Sequence, residues 1–338
     1  MNQPEQDQVV VITGASAGVG RATVRAFAQR GADIALIARG EDGLAAAQRE
    51  VEEEGGHAIV ISADVSDAQA MLDAAERTER ELGPIDVWVN NAMTSVFAAF
   101  WDIEPDEFRR VTDVTYHGYV NGTRAALKHM RPRDRGTIVM VGSALAYRSI
   151  PLQSAYCGAK SAIVGFTDSI RAELLHEGSN VKLTAVHLPA HNTPQFRLVR
   201  SKLPREAQPV PPIYQPELAA DAIVWSTEHD RREIHLAAPA FAAILGQKVL
   251  PELMDRYVVG AWDDQMIDEP RDESRPDNLF APVPGDHGAH GPYVERSRDS
   301  SPFWWLDRNR GWVVAATAGI GAAVAVIAGM RRGGGNGG

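Results

Sequence analysis

The chain has 338 residues, 44% of them hydrophobic and 23% charged, a composition typical of folded soluble proteins rather than of disordered chains, collagen-like repeats or multi-span membrane proteins. Its 34 Lys and Arg residues against 44 Asp and Glu residues give a net charge of −10, which argues against general binding of nucleic acids through their phosphate backbone. Cys157 is the single cysteine and has no internal disulfide partner, which fits a reducing compartment.

Short apolar runs alternate with helical patterns between residues 8 and 238. The runs are continuous rather than alternating, which is typical of strands buried on both faces of a parallel sheet. They span residues 9–13, 33–38, 57–62, 85–90, 137–142 and 181–188. Helical stretches follow at 20–30, 42–54, 68–82, 106–130 and 156–176, and a helix at 216–226 precedes a seventh strand near 233–237. The sequence therefore predicts one doubly wound α/β domain over residues 7–245.

Prolines interrupt two later segments. Residues 194–216 contain six of them, which break helices and central strands, so a long functional loop is expected there. Residues 246–311 form a polar extension that is also rich in proline. For this extension we expect a tail lying over the domain surface, or a linker, rather than a second core.

The 19 residues 312–330 carry no charge and, as a helix, span about 28 Å, close to the thickness of the hydrocarbon core of a membrane. Aromatic residues and arginines flank this segment, among them Phe303, Trp304, Trp305, Arg308 and Arg331. Residues 1–8 show no feature of a secretory signal. The sequence thus predicts a transmembrane helix that anchors a cytosolic domain. The alternative is a buried or docking helix, because the segment is rich in Ala and Gly.

A glycine-rich turn follows the first predicted strand and reads Thr-Gly-Ala-Ser-Ala-Gly-Val-Gly from residue 13 to residue 20. Without Cβ atoms the backbone can approach a pyrophosphate closely, and the N-terminus of the next helix supplies N–H groups and the positive end of its dipole. The turn predicts a dinucleotide site at Gly14, Ser16, Gly18, Val19 and Gly20. The alternative is a plain strand-to-helix turn.

The second predicted strand ends at Ala38-Arg39, where an NAD site would place an acid to bind the ribose hydroxyls. Arg39 instead offers planar, permanently charged donors that suit a 2′-phosphate, and the Ser16 hydroxyl can add to them. The sequence predicts NADP(H) as the cofactor. The alternative is that Arg39 is a solvated loop residue.

Three residues form a candidate catalytic set. Tyr156 and Lys160 are four residues apart at the start of a predicted helix and share one face. A nearby ammonium favours the phenolate, so Lys160 is expected to lower the pKa of Tyr156 and make it a usable general acid/base. Ser143 lies at the carboxyl end of a strand, where ligands collect in open α/β sheets, and its hydroxyl can bind the substrate oxygen.

With these motifs in this order, the sequence resembles the short-chain dehydrogenase/reductase family of the conventional single-domain type, over roughly residues 7–240. The resemblance implies a Rossmann-like sheet with strand order 3-2-1-4-5-6-7, and a homo-oligomer. It also implies roles for individual residues. These are adenine contacts at Asp64 and Val65, support of the cofactor loop at Asn90, further cofactor contacts at Asn91 and Ala92, a nicotinamide-ribose contact at Lys160, and a carboxamide contact at Pro189 and Thr193.

The sequence departs from the family pattern at three positions. Met93 and Ala190 replace glycines. Thr115 stands where the family has a catalytic asparagine and offers a hydroxyl without the amide geometry, so the asparagine-dependent proton relay is in doubt. Asn121 is not expected to substitute, because six residues turn a helix to a position about 120° away.

The leading interpretation is an NADP(H)-dependent oxidoreductase that interconverts a small-molecule carbonyl and an alcohol, with Ser143, Tyr156, Lys160 and Thr115 as the catalytic candidates. Apolar residues of the proline-rich loop suggest a wall for a lipophilic substrate: Phe196, Leu198, Val199 and Leu203. No metal site is expected. One alternative is a non-catalytic NADP(H)-binding scaffold or sensor, and another is an epimerase or dehydratase on a related fold.

Overall fold

Seven parallel strands form the central sheet of the computed structural model, which describes residues 8–238, 246–247 and 249–310. The strands are β1 (Val9–Thr13), β2 (Asp33–Ala38), β3 (Ala58–Ser62), β4 (Val87–Asn90), β5 (Thr137–Ser143), β6 (Lys182–Leu188) and β7 (Glu233–His235). They lie in the order 3-2-1-4-5-6-7, and every neighbouring pair is parallel. The predicted doubly wound sheet and its strand order are confirmed.

Helices cover both faces of this sheet. They are α1 (Gly18–Ala28), α2 (Glu41–Glu53), α3 (Ala68–Glu81), α4 (Pro105–Thr112), α5 (Gly118–Arg133), α6 (Ser154–His176) and α7 (Pro216–Glu228). Val10 and Ile12 of β1 pack in a core with α1, α2 and α7, whereas Val9 and Val11 pack in a second core with α3, α5 and α6. The continuous apolar runs follow from this arrangement, because each side chain of a central strand is buried on one face or the other.

The helix predicted over residues 106–130 is divided in the structure. A π-helical turn, Asp113–His117, separates α4 from α5. Such a turn inserts one extra residue, so the side chains after it occupy a different face from the one that a regular helix would give them. Asn121 donates from its amide to the backbone carbonyls of Val65 and Ser66, at 3.0 and 3.2 Å.

The extension packs on the domain through short strand pairings. Met266–Pro270 pairs antiparallel with Arg205–Ala207 of the proline-rich loop. Ile213–Tyr214 of the same loop pairs with Ala190–His191 on one side and with Ser297–Arg298 on the other. The described part of the extension also contains α-helices, among them α8 (Pro251–Val259) and α9 (Pro302–Arg308). Its described part thus lies over the domain surface and is not a detached linker.

The predicted transmembrane helix, residues 312–330, lies outside the described residues and stays a prediction from the sequence, to be checked by cell fractionation. Among the residues that are described, no helix is both long enough and apolar enough to cross a membrane. Trp304 does not have the interfacial position expected from the sequence. It is 3% exposed, packs edge-on against Trp225 and donates from Nε1 to Asp221, because α9 docks on α7.

Candidate active site

A cavity of about 720 Å³ opens at the carboxyl ends of the parallel strands. Parallel sheets bind ligands at this edge because the loops that follow the strands converge there. Most of the site residues expected from the sequence line the cavity: Gly14, Ser16, Gly18, Val19, Arg39, Asp64, Val65, Asn91, Ala92, Ser143, Tyr156, Lys160, Pro189 and Thr193. Gly20 and Thr115 are not among the lining residues.

The glycine turn joins β1 to α1 in a geometry that side chains would block. Gly14 has φ +69°, in the left-handed region that favours glycine. A Cβ on Gly20 would lie 2.1 Å from the Gly14 carbonyl oxygen, so this glycine lets α1 begin directly against the turn. The backbone N–H of Gly14 donates to the Ile37 carbonyl at 2.7 Å, which fixes the turn to β2.

Asn91 holds the other side of the turn. Its side-chain amide donates to the Thr13 carbonyl at 3.0 Å, and its backbone N–H donates to the Thr13 hydroxyl at 2.9 Å. Asn90, which the resemblance assigned to support of this loop, lies elsewhere. Its side chain accepts from Trp88 Nε1 and donates to the Thr123 hydroxyl inside the core beneath the sheet. Support of the cofactor loop therefore comes from Asn91 and not from the side chain of Asn90.

Ser143, Tyr156 and Lys160 meet at the centre of the cavity, where β5 ends beside the first turns of α6. Burial lowers the pKa of Lys160 to about 7. Burial also raises the pKa of Tyr156 well above its usual value, and a hydrogen bond with Ser143 opposes that rise. The expectation that Lys160 lowers the pKa of Tyr156 is not met in this site, because the cost of burying a phenolate exceeds the favourable interactions around it.

Thr115 lies outside the reacting region. It is fully buried in the π-helical turn, where its hydroxyl donates to the Thr94 carbonyl at 2.9 Å and accepts from the Thr94 N–H at 3.1 Å. Both bonds go to the loop that follows β4. Thr115, which the sequence analysis named as a catalytic candidate, therefore braces the loop after β4. Its hydroxyl is hydrogen-bonded to that loop and not directed to the cavity.

Arg39 and Asp64 lie together at the far end of the cavity from Tyr156. Arg39 donates from its two Nη atoms to the backbone carbonyls of residues 278–280 in the extension, with 3.1 Å to the Phe280 oxygen. Asp64 forms an ion pair with Arg110, which also donates from Nε to the Leu279 carbonyl at 3.0 Å. Arg39 thus lies at the end of β2, as the sequence predicts. It also binds residues 278–280 of the extension, which sequence reasoning did not connect to the site.

Residues 278–291 form what we call the strap, which crosses the mouth of the cleft. Beyond Arg39, the Gly285 N–H donates to Asp42 at 2.7 Å, and the Gly18 N–H of the glycine turn donates to the Gly288 carbonyl at 2.9 Å. Arg21 in α1 pairs with Asp286 at 3.2 Å. Several strap residues line the cavity itself: Asn278, Pro282, Val283, Gly285 and His287. The sequence of the strap gave no signal of this position.

The opposite end of the cavity is largely apolar. Phe196 and Leu198 line it, as expected from the sequence, whereas Val199 and Leu203 are buried in a small core behind it. Sequence reasoning missed the contribution of α8, where Met254 and Val258 are four residues apart and face the cavity. Their i, i+4 spacing in a short apolar helix is the signal that could have identified them.

The sequence model of the short chain dehydrogenase family matches residues 8–204. The uncharacterized oxidoreductase YxnA of Bacillus subtilis is 34% identical over 328 residues, covering 96% of this chain and 89% of that protein. The probable oxidoreductase EphD of Mycobacterium bovis is 34% identical over 263 residues, covering 73% of this chain and 44% of that protein.

A solved structure gives the same result for the fold. The 3-oxoacyl-[acyl-carrier protein] reductase from Brucella melitensis, a structure with bound NAD, superimposes with a TM-score of 0.58 and 31% identity over 68% of this chain and 90% of its own. The family match spans more than half of the chain and includes the glycine turn and the Ser143, Tyr156 and Lys160 positions. The chain belongs to the short-chain dehydrogenase/reductase family.

Proposed function

We propose that the protein is an NADP(H)-dependent oxidoreductase that interconverts a carbonyl compound and an alcohol by hydride transfer. The observation that carries this proposal is the convergence of Ser143, Tyr156 and Lys160 in a cavity that continues to the glycine turn. A scaffold without catalytic function would have no need for this set of side chains in the cavity.

The residues of the cleft fit a dinucleotide. The backbone at Gly14 and Gly18 has positive φ and presents no side chain to the cavity, and α1 begins at Gly18, so that the positive end of its dipole lies at the glycine turn. When bound, the nicotinamide supplies or accepts the hydride. In the reductive direction Tyr156 donates a proton to the carbonyl oxygen, Ser143 binds that oxygen, and Lys160 binds the nicotinamide ribose.

NADP(H) is the proposed cofactor because the residue directly after Ala38, at the end of β2, is Arg39 and not a carboxylate. The Nη atoms of Arg39 bind backbone carbonyls, which are neutral dipoles and leave its positive charge available to a 2′-phosphate. The runner-up is NAD, which is bound in the related reductase from Brucella melitensis.

A lipophilic carbonyl compound is the proposed substrate. Phe97, Phe196, Met254 and Val258 line the same cavity as Tyr156 and offer contacts to an apolar chain. Each methylene that the pocket buries contributes about 0.8 kcal/mol, so kcat/KM for straight-chain ketones should rise about three- to fourfold per buried carbon.

The test is NADPH oxidation by the purified protein with a panel of ketones and aldehydes of increasing chain length. Tyr156→Phe should keep NADPH binding and lose about 10²- to 10⁴-fold in kcat, because the general acid is removed. Tyr116→Phe is the matched control, since this hydroxyl lies outside the cavity lining. Turnover of Tyr156→Phe within a few-fold of wild type would contradict the assigned role.

A further inference from the structure

Lys160 is held by a group that the family resemblance does not identify. Its side chain is 2% exposed, and its Nζ donates to the Val141 carbonyl at 2.7 Å and to the Tyr119 hydroxyl at 2.9 Å. Tyr119 is itself 1% exposed and donates to the same Val141 carbonyl at 2.9 Å. The ammonium, the hydroxyl and the carbonyl thus form a closed triangle between α6, α5 and β5.

The orientation of the Tyr119 hydroxyl is fixed by this triangle. Because its hydrogen is given to the Val141 carbonyl, its oxygen presents a lone pair to the Lys160 ammonium. The ring of Tyr119 adds a second contact, since Nζ lies 4.6 Å from the ring centroid, within range of a cation–π interaction. Two of the three ammonium hydrogens are used in this way, and the third is left for the cavity that Lys160 lines.

Among the described residues, no carboxylate forms an ion pair with Lys160, whose Nζ donates to a carbonyl and a hydroxyl instead. Burial lowers the pKa of Lys160 to about 7 in this site, so the groups that contact the ammonium decide how much of its charge remains near neutral pH. The titratable groups around it are Tyr156 and Asp168 on its own helix, Arg171 one turn further, His187 on β6, Glu233 on β7 and Tyr147 after β5. His187 is neutral, because burial lowers its pKa to about 3.

Thr115 does not provide that stabilisation. Its hydroxyl is used in both directions by the Thr94 backbone, and the π-helical turn brings Tyr119, four residues later, to the lysine instead. The hydroxyl that contacts the active-site lysine from this helical segment is therefore that of Tyr119.

We propose that Tyr119 is a positioning residue of the reaction, whose hydroxyl and ring keep the Lys160 ammonium charged and directed toward the cofactor ribose. This inference rests on the proposed function, because it assumes that Lys160 binds a nicotinamide cofactor. Tyr119→Phe removes the hydroxyl and keeps the ring, so the core around it should remain packed. Tyr116→Phe, the same change three residues earlier on a ring that packs against Phe166, is the matched control.

The readout is the dissociation constant of NADPH measured by fluorescence between about pH 5 and pH 10. The affinity for NADPH should fall as Lys160 loses its proton. Lys160→Met should abolish this pH dependence, which would show that Lys160 is the group that titrates. In Tyr119→Phe the charged form loses an acceptor, which lowers the pKa of Lys160. The midpoint of the pH dependence should therefore move down by about one pH unit. At pH values above both midpoints, Tyr119→Phe should bind NADPH about tenfold more weakly than wild type. The pH profile of kcat for a reduced ketone should move in the same direction.

A midpoint in Tyr119→Phe equal to that of wild type and Tyr116→Phe overturns the proposal, whatever the turnover. Should Tyr119→Phe fail to fold, Tyr119→Leu makes the same comparison, with a larger expected shift because the ring is also lost. A wild-type protein that binds NADPH in this pH-dependent way but reduces no carbonyl overturns the proposed function and not the role of Tyr119. A protein that binds neither NADPH nor NADH overturns both.

Discussion

Arg39 combines two tasks at one side chain. It is the cation available to a 2′-phosphate at the end of β2, and it binds three successive carbonyls of the strap. The two tasks are compatible, because the carbonyls contact the Nη atoms without neutralising the guanidinium. They are also separable by experiment, because NADPH and NADH differ by the phosphate and share every other contact.

Arg39→Ala should weaken NADPH binding about 10- to 100-fold, the effect of losing roughly 1.5–3 kcal/mol of charged hydrogen bonding. NADH binding should weaken much less, because only the strap contacts are lost. Fluorescence titration of both cofactors measures the ratio. Arg77→Ala is the control, since Arg77 also binds a backbone carbonyl, that of Val60, but is not part of the cavity lining. Equal losses for the two cofactors in Arg39→Ala would mean that Arg39 serves the strap alone.

At the scale of single elements, the π-helical turn between α4 and α5 determines which side chains reach the catalytic lysine. The sequence predicts one helix over residues 106–130, and the structure has helical backbone throughout that range. An apolar period of 3.6 residues does not reveal one additional residue in a turn. The assignment of Thr115 came from the family resemblance, and neither that resemblance nor the apolar period pointed to Tyr119, although both residues lie in the predicted helix.

The brace formed by Thr115 can be tested through stability. Thr115→Val keeps the shape and removes the hydroxyl, leaving the buried N–H and carbonyl of Thr94 without their partner. The free energy of unfolding, measured by urea denaturation, should fall by about 1–3 kcal/mol. In Thr112→Val, where the lost hydroxyl only donates to a carbonyl one turn back in α4, the change should be about 0.5 kcal/mol. If Thr115→Val had wild-type stability but lost turnover, Thr115 would be assigned a role in catalysis instead.

At the scale of the whole molecule, the sheet and most of the cleft could be predicted, and the strap could not. Continuous apolar runs indicate buried parallel strands, and the glycine turn with Ser143, Tyr156 and Lys160 indicates the cleft. The strap binds through backbone groups, as at Gly285 and Gly288, and through the carbonyls that Arg39 contacts. Backbone contacts leave no pattern in the amino-acid composition, so the extension was expected only as a tail or a linker.

The strap should slow the release of the cofactor. The double variant Asp42→Ala and Asp286→Ala removes the partners of Gly285 and Arg21 and should accelerate NADPH dissociation roughly 3- to 30-fold, as measured by stopped-flow fluorescence. Asp272→Ala, an exposed change in the extension outside the strap, should leave the rate as in wild type. An unchanged rate in the double variant would show that the cofactor leaves without displacing the strap.

The chain segments before and after the strap are both packed on the domain. Met266–Pro270 pairs with the proline-rich loop before it, and Trp304 of α9 is inserted in the core after it. It is therefore a closed loop rather than a free end, and reclosure after each opening is a local, intramolecular event that does not depend on protein concentration. If the strap slows cofactor release, a cargo attached beyond residue 310 should leave that effect unchanged, whereas a single proteolytic cut between residues 278 and 291 should remove the closed loop and speed the release of a bound nucleotide.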